Sequence, residues 1–201
     1  MRRKPATLLV RALQAGIAAI VVVGVATRNV AVVVNGVLGL AVTFLPVVLR
    51  RDYHLWLSPG ASLLVAVAVF LHAAGMLGAY DTVWWFDHLT HGLSAAVVAA
   101  AGYAAARALD EHRDDLHFPR SFLTVFIFLL TLALGVLWEV AEWAAREAAV
   151  ALALDPVLVV YGVEDTVFDV VFNAVGALLA ATLGARYLRA DIDAVGVWLD
   201  E

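Results

Sequence analysis

Cysteine is absent from the 201 residues, which excludes both a disulfide framework and any thiolate metal site. A metal held by this chain must therefore rest on oxygen and imidazole donors. Charge is also scarce. Only 15% of residues are Asp, Glu, Lys or Arg, the net charge is −5, and no basic patch interleaved with aromatics occurs, so no nucleic-acid partner is expected. Lysine is reduced to Lys4 alone, against twelve arginines. A phosphate-binding glycine loop, a dinucleotide fingerprint and a Ser-His-Asp order are all missing, so no named chemistry is favoured. Solenoid repeats and a disordered linker are missing as well.

What remains is apolar. At 64% hydrophobic residues and a mean hydropathy of +0.91, the chain carries more apolar surface than a water-soluble fold of this length could bury. The composition predicts an all-α polytopic membrane helix bundle forming one transmembrane domain over residues 1–201. Six spans are expected, at about 6–27, 30–49, 60–79, 84–109, 121–148 and 166–188. They read as helices because hydrocarbon offers backbone polar groups no other partner and because barrel-like alternation is absent. Ser58 and Pro59 supply an N-cap and a first-turn proline for the third span. The N-terminal MRRKPATLLV reads as the start of an uncleaved first span, with no small-x-small cleavage site after it. The long connection from Glu147 to Asp165 contains Val150–Leu154 and Val157–Val160, apolar enough to lie on the membrane or re-enter it.

Basic residues set the expected orientation. Eleven of the thirteen fall at the N-terminus, at Arg50 and Arg51, between Arg107 and Arg120, or at Arg186 and Arg189; the alternate loops hold Arg28 and Arg146. The excess marks the cytoplasmic side, so both termini are expected inside a plasma membrane.

Three acidic patches interrupt the apolar runs: Asp87, His88 and His91; Glu139 and Glu142; Asp165, Asp169 and Asn173. A charge at mid-bilayer costs about 2.5–3.5 kcal/mol on insertion scales, so such groups usually face a bundle interior. The expected topology brings all three patches to the outer leaflet. His72 joins them, lying about 18 Å along the third helix from Gly60 at 1.5 Å per residue. Spacings of three and four residues put Asp87 with His91, Glu139 with Glu142, and Asp165, Asp169 and Asn173 on single helix faces, while His88 points away from the Asp87/His91 face. Below Asn173 the same face continues as Gly176, Ala180 and Gly184, a small-residue packing seam.

Each piece also has a plainer explanation. Asp165 and Thr166 resemble an N-cap, with Thr166 and Asp169 spaced as a capping box, and Asp87 suits a helix N-terminus. Glu142 can pair with Arg146. Tyr80, Trp84, Trp85, Trp138 and Trp143 read as an interfacial aromatic belt. All these explanations at one depth are less economical than one shared site. Several carboxylates in low dielectric need protons or a cation, and Asp, Glu and His without Cys suit a divalent ion. The candidate metal ligands are His72, Asp87, His91, Glu139, Glu142, Asp165 and Asp169. The Glu-x-x-His pairs of ferritin-like dimetal proteins are missing.

The segments LHAAGMLGAYDTVWWFDHLTHG, GVLWEVAEW and EDTVFDVVFNAVGALL, across about residues 63–183, resemble the YjdF-like family of small inner-membrane proteins. That family carries a similar His, Asp-x-x-x-His, Glu-x-x-Glu and Asp-Thr-x-x-Asp order. The resemblance implies this architecture and this set of residues and names no reaction. A more distant similarity is to VanZ-like membrane proteins, through the order Asp/His, Glu and Asp-x-x-x-Asn-x-x-Gly, which implies a link to envelope or antibiotic response. Function divides accordingly. One reading is metal-dependent hydrolysis or group transfer on a lipid-like substrate, with a divalent metal ion as cofactor and the bilayer as partner. The others are a proton- or cation-linked transporter or sensor, and a structural role in helix register.

Overall fold

The computed structural model describes residues 3–158 and 161–200. Its elements are α1 (Arg3–Thr27), α2 (Val30–Thr43), α3 (Leu45–Asp52), α4 (Pro59–Ala74), a π-helical segment (Gly75–Ala79), the single turn α5 (Tyr80–Thr82), α6 (Phe86–His112), α7 (Arg120–Ala151), α8 (Val163–Tyr187) and α9 (Arg189–Leu199). The protein is an all-α bundle, and six stretches are long and apolar enough to cross a membrane: Pro5–Thr27, Val30–Asp52, Pro59–Thr82, Phe86–His112, Arg120–Ala151 and Val163–Tyr187.

The expected starts and stops hold where the local chemistry is strong. The Ser58 hydroxyl accepts from Ala61 N at 3.1 Å with Pro59 opening α4, as the sequence implies. Two spans are less regular than expected. The second breaks at Phe44, where Pro46 near the start of α3 removes a backbone donor and crowds the preceding turn. The third runs on to Thr82 through the π-helical segment, in which Gly78 takes φ 112°, a conformation that L side chains resist.

Apolar burial forms two clusters. Ile17, Ile20, Val32 and Ala73 join α1, α2 and α4. Ala99, Tyr103, Ala104, Leu123, Ile127 and Ala181 belong to the second cluster, which joins α6, α7, α8 and α9. The tightest contact is between α6 and α8. A Cβ on Gly176 would overlap the Gly92 carbonyl oxygen, so the two backbones touch through their glycines. Gly184 likewise lies against the Tyr103 ring, so the small-residue seam read from the sequence is a packing face. Between the two clusters lies a cavity of about 530 Å³.

Candidate metal centre

The centre is built at the end of the bundle where α2, α6 and α8 begin and α4 and α7 finish. Its placement follows from the glycine contact just described. With Gly92 pressed on α8, the first turn of α6 has two sides facing protein, and both carry histidine. His91 faces α7 and the cavity; His88 faces α8.

His91 is the hub. Its Nε2 is 3.7 Å from Asp87 Oδ1 and 3.9 Å from Asp169 Oδ2, and its Nδ1 is 3.5 Å from Glu139 Oε1. These separations exceed hydrogen-bond lengths but approach the roughly 3.4 Å between two donors each about 2.1 Å from one tetrahedral ion. Three groups of donor atoms lie within 4.8 Å of one another: Asp87, His91 and Asp169; His91, Glu139 and Glu142; and His88, Asp165 and Asp169. Glu139 and Glu142 are buried, at 9% and 8% exposure, and Glu139 Oε1 has no hydrogen-bond partner. A buried carboxylate oxygen without a partner costs at least about 1–3 kcal/mol, so the orphan calls for an explanation.

Six of the seven candidate ligands read from the sequence are therefore brought together. The seventh, His72, is set apart. The Asn35 amide donates to the carbonyls of Ala31 (2.9 Å) and Val157 (2.7 Å), which leaves Asn35 Oδ1 to accept from His72 Nε2 at 3.2 Å. His72 Nδ1 then accepts from the Tyr80 hydroxyl at 2.8 Å. With both ring nitrogens engaged, His72 has no lone pair for an ion. It lines the same cavity as part of a polar chain that continues to Thr90 Oγ1, 3.3 Å from Tyr80 Oη.

Other expectations change as well. His88 belongs to the centre: it is 6% exposed, its Nδ1 donates to Asp169 Oδ1 at 2.9 Å, and its ring packs between Phe168 and Phe172. Spacing along α6 alone could not reveal this, because the position of α8 decides which side is interior. Tyr80 leaves the aromatic belt. Its ring lies over Gly75, where a Cβ would collide with it, and the kink at Gly75–Ala79 turns its hydroxyl towards His72. Asp165 and Thr166 form no cap, because α8 starts earlier, at Val163 after Gly162 with φ 124°, and its N-cap makes no side-chain hydrogen bond. Asn35 was missed although it interrupts the apolar run of the second span, the same signal that marked the acids.

The connection after α7 closes over this end. Leu158 and Tyr161 line the cavity, Val157 is held by Asn35, and the Tyr161 hydroxyl donates to Asp81 Oδ1 at 2.8 Å. Val159 and Val160, part of the apolar stretch singled out above, lie outside the described residues. Burial, reinforced by Asp81, pushes the Tyr161 phenol up, so it stays a donor at neutral pH.

Comparison with known proteins agrees with a membrane helix bundle and names no reaction. A protein of Thermotoga maritima described as uncharacterized is 26% identical over 149 residues, 71% of each chain. No solved structure matches. The YjdF-like resemblance is consistent with the family whose model matches, and the VanZ-like similarity gains no support. Over residues 8–190 the chain matches, and so belongs to, the family described as "Predicted membrane protein (DUF2238)".

Proposed function

We propose that this bundle binds a divalent cation at His91, Glu139 and Glu142 and uses it for hydrolysis or group transfer on a lipid-like substrate. The observation that carries the reading is the orphaned, buried Glu139 Oε1, 3.5 Å from His91 Nδ1 with buried Glu142 one turn away. An ion there satisfies the oxygen and compensates two carboxylates that low dielectric would otherwise set against each other. Asp87 and Asp169, on the Nε2 side of the ring, would orient the imidazole as carboxylates do behind metal-bound histidines. Three protein ligands leave a coordination position open to the cavity, the arrangement of catalytic rather than structural sites. The ion would supply Lewis-acid polarisation of an ester or phosphoryl oxygen. Asp87, which also lines the cavity, is the carboxylate placed to accept a proton there.

Cavity shape supports the substrate class. Its polar wall of Asp87, His91 and Glu142 gives way to Leu38, Val42, Val98 and Leu134, side chains that both line the cavity and are exposed on the lipid-facing surface. An amphiphile could therefore enter sideways, with its head at the acids and its chain between α2 and α7.

Elemental analysis of purified protein tests the cation. About one equivalent of divalent metal per chain is expected, falling to background in Glu139→Gln, which keeps the size and loses the charge. Background metal in the wild type would overturn the site. Chelation should also abolish turnover of a long-chain ester or phosphoester in mixed micelles. No turnover with the ion bound would overturn the enzymatic half in favour of cation-linked transport. We further place both termini on the cytoplasmic side of the plasma membrane, on the arginine asymmetry. Reporter fusions after Arg51 and at the C-terminus should read cytoplasm.

A further inference from the structure

The opposite end of the bundle carries a second cavity, of about 820 Å³, between α1, α3, α4 and α9. Its charged lining is mainly basic: Arg11, Arg50, Arg51 and His54 stand against one acid, Asp193. Asp193 is already paired with Arg189 at 2.9 Å, and Arg51 with Asp52 at 2.6 Å. Arg11 and Arg50 are held differently. Arg11 Nη1 donates to Gln14 Oε1 at 3.0 Å. Gln14, 7% exposed, is itself fixed through its amide to Thr43 Oγ1 at 3.1 Å, where the second span breaks. The Arg50 guanidinium lies 3.9 Å from the centre of the Trp56 ring. Among the described residues neither has a carboxylate partner, so two guanidiniums are positioned by neutral groups and their charge is left uncompensated. In contrast, Arg107 and Arg113 at the same end are paired with acids.

We propose that this cleft binds the phosphodiester headgroup of an anionic phospholipid. Guanidinium donors match phosphate oxygens in geometry and charge, and basic pockets between membrane helices are a recurrent way to hold such headgroups. The remaining walls fit the acyl part: Val10, Val47, Leu57 and Val197 are apolar, and Val47 and Val197 are exposed on the bundle surface. The helix break at Phe44 borders the cleft: α3 carries Arg50 and Arg51 in its wall, and the Thr43 carbonyl and hydroxyl accept from the Gln14 amide. This site is independent of the metal centre and survives its failure.

The test is native mass spectrometry of delipidated full-length protein titrated with phosphatidylglycerol, phosphatidylcholine or inorganic phosphate. Phosphatidylglycerol should bind roughly 30-fold more tightly than phosphatidylcholine, the combined effect of two basic side chains near an anionic headgroup. Arg11→Gln with Arg50→Gln should bring the two lipids to parity, and Arg50→Lys should keep most of the preference. Arg113→Gln, outside the cleft, should change nothing. Gel filtration establishes that each variant is folded. Equal binding of the two lipids by the wild type, or an unchanged preference in the double variant, would overturn the proposal. Displacement of phosphatidylglycerol by inorganic phosphate would show a free-anion site and overturn the lipid assignment.

Discussion

Asp110 near one end of the bundle and Asp169 near the other are equally buried, with side chains 4% and 3% exposed, and they are compensated in opposite ways. The Asp110 carboxylate accepts from the Arg107 guanidinium and from the Phe118 backbone N–H, so its charge is met by a full cation and a fixed dipole. Nearby, Glu111 is bridged by Arg107 at 3.0 Å and Arg189 at 2.9 Å. Asp169 instead meets two imidazoles, one hydrogen-bonded and one 3.9 Å away, and shares its neighbourhood with Asp87 and Asp165. Burial alone therefore does not mark a functional acid. At the arginine end Asp110 is tied to the α6–α7 connection and Glu111 to α9, while buried Asp191 accepts from Ser58 N at 2.7 Å through Oδ1 and leaves Oδ2 without a partner. The histidine end gathers five carboxylates, Asp87, Glu139, Glu142, Asp165 and Asp169, around two imidazoles, and that crowding is what an ion would answer.

The largest effect that could break this comparison comes from the contact that assembles the histidine end. Gly176→Val forces a side chain into the Gly92 carbonyl and should destabilise the fold by about 3 kcal/mol, the upper end of overpacking costs. Melting in detergent should fall by several degrees and bound metal should be lost with it. A variant that melts like the wild type would show that the α6–α8 approach does not set the site.

Next comes a paired test of the two ends in metal-free protein. Asp110→Asn weakens a guanidinium contact and a backbone hydrogen bond and should cost about 2 kcal/mol, part of the ion pair being solvated already. Asp169→Asn removes one of several crowded carboxylates and should leave the melting temperature unchanged or higher. Equal losses at both positions would erase the distinction.

Gly78→Ala should have a smaller effect, about 1 kcal/mol, because alanine resists φ 112° while nothing nearby blocks the added methyl. Its sharper readout is the position of Tyr80, which the kink delivers to His72. The smallest effect belongs to Arg113→Gln. Arg113 and Asp115 are 58% and 64% exposed, and the Arg113 hydrogen bond holds the Asp115 carboxyl below its usual range. Whatever the pair contributes is thus present at neutral pH and lost on acidification through the folded value. Solvation leaves no measurable change in melting expected.

Much of this contrast was legible in the sequence, and what was not has identifiable causes. The six spans, the Ser58–Pro59 start and the stripes at Glu139/Glu142 and Asp87/His91 follow from hydropathy, capping and helical period. His88 was not legible, because a period shows which residues share a face but not that α6 has two buried faces. The engagement of His72 depended on Tyr80, and the reach of Tyr80 depended on a kink signalled only by Gly75 and Gly78. The capping reading of Asp165 and Thr166 failed because Gly162 let α8 begin three residues before Thr166. Asn35 could have been found, since a lone amide in a valine-rich span is costly unless it has partners.

Pulsed electron paramagnetic resonance on protein loaded with Mn²⁺ tests the central claim most directly, because it reports the nitrogen atoms bound to the ion. The account predicts modulation from one coordinated imidazole in the wild type, lost in His91→Gln and retained in His72→Gln. A spectrum showing only water and carboxylate oxygens, unchanged by His91→Gln, would contradict it.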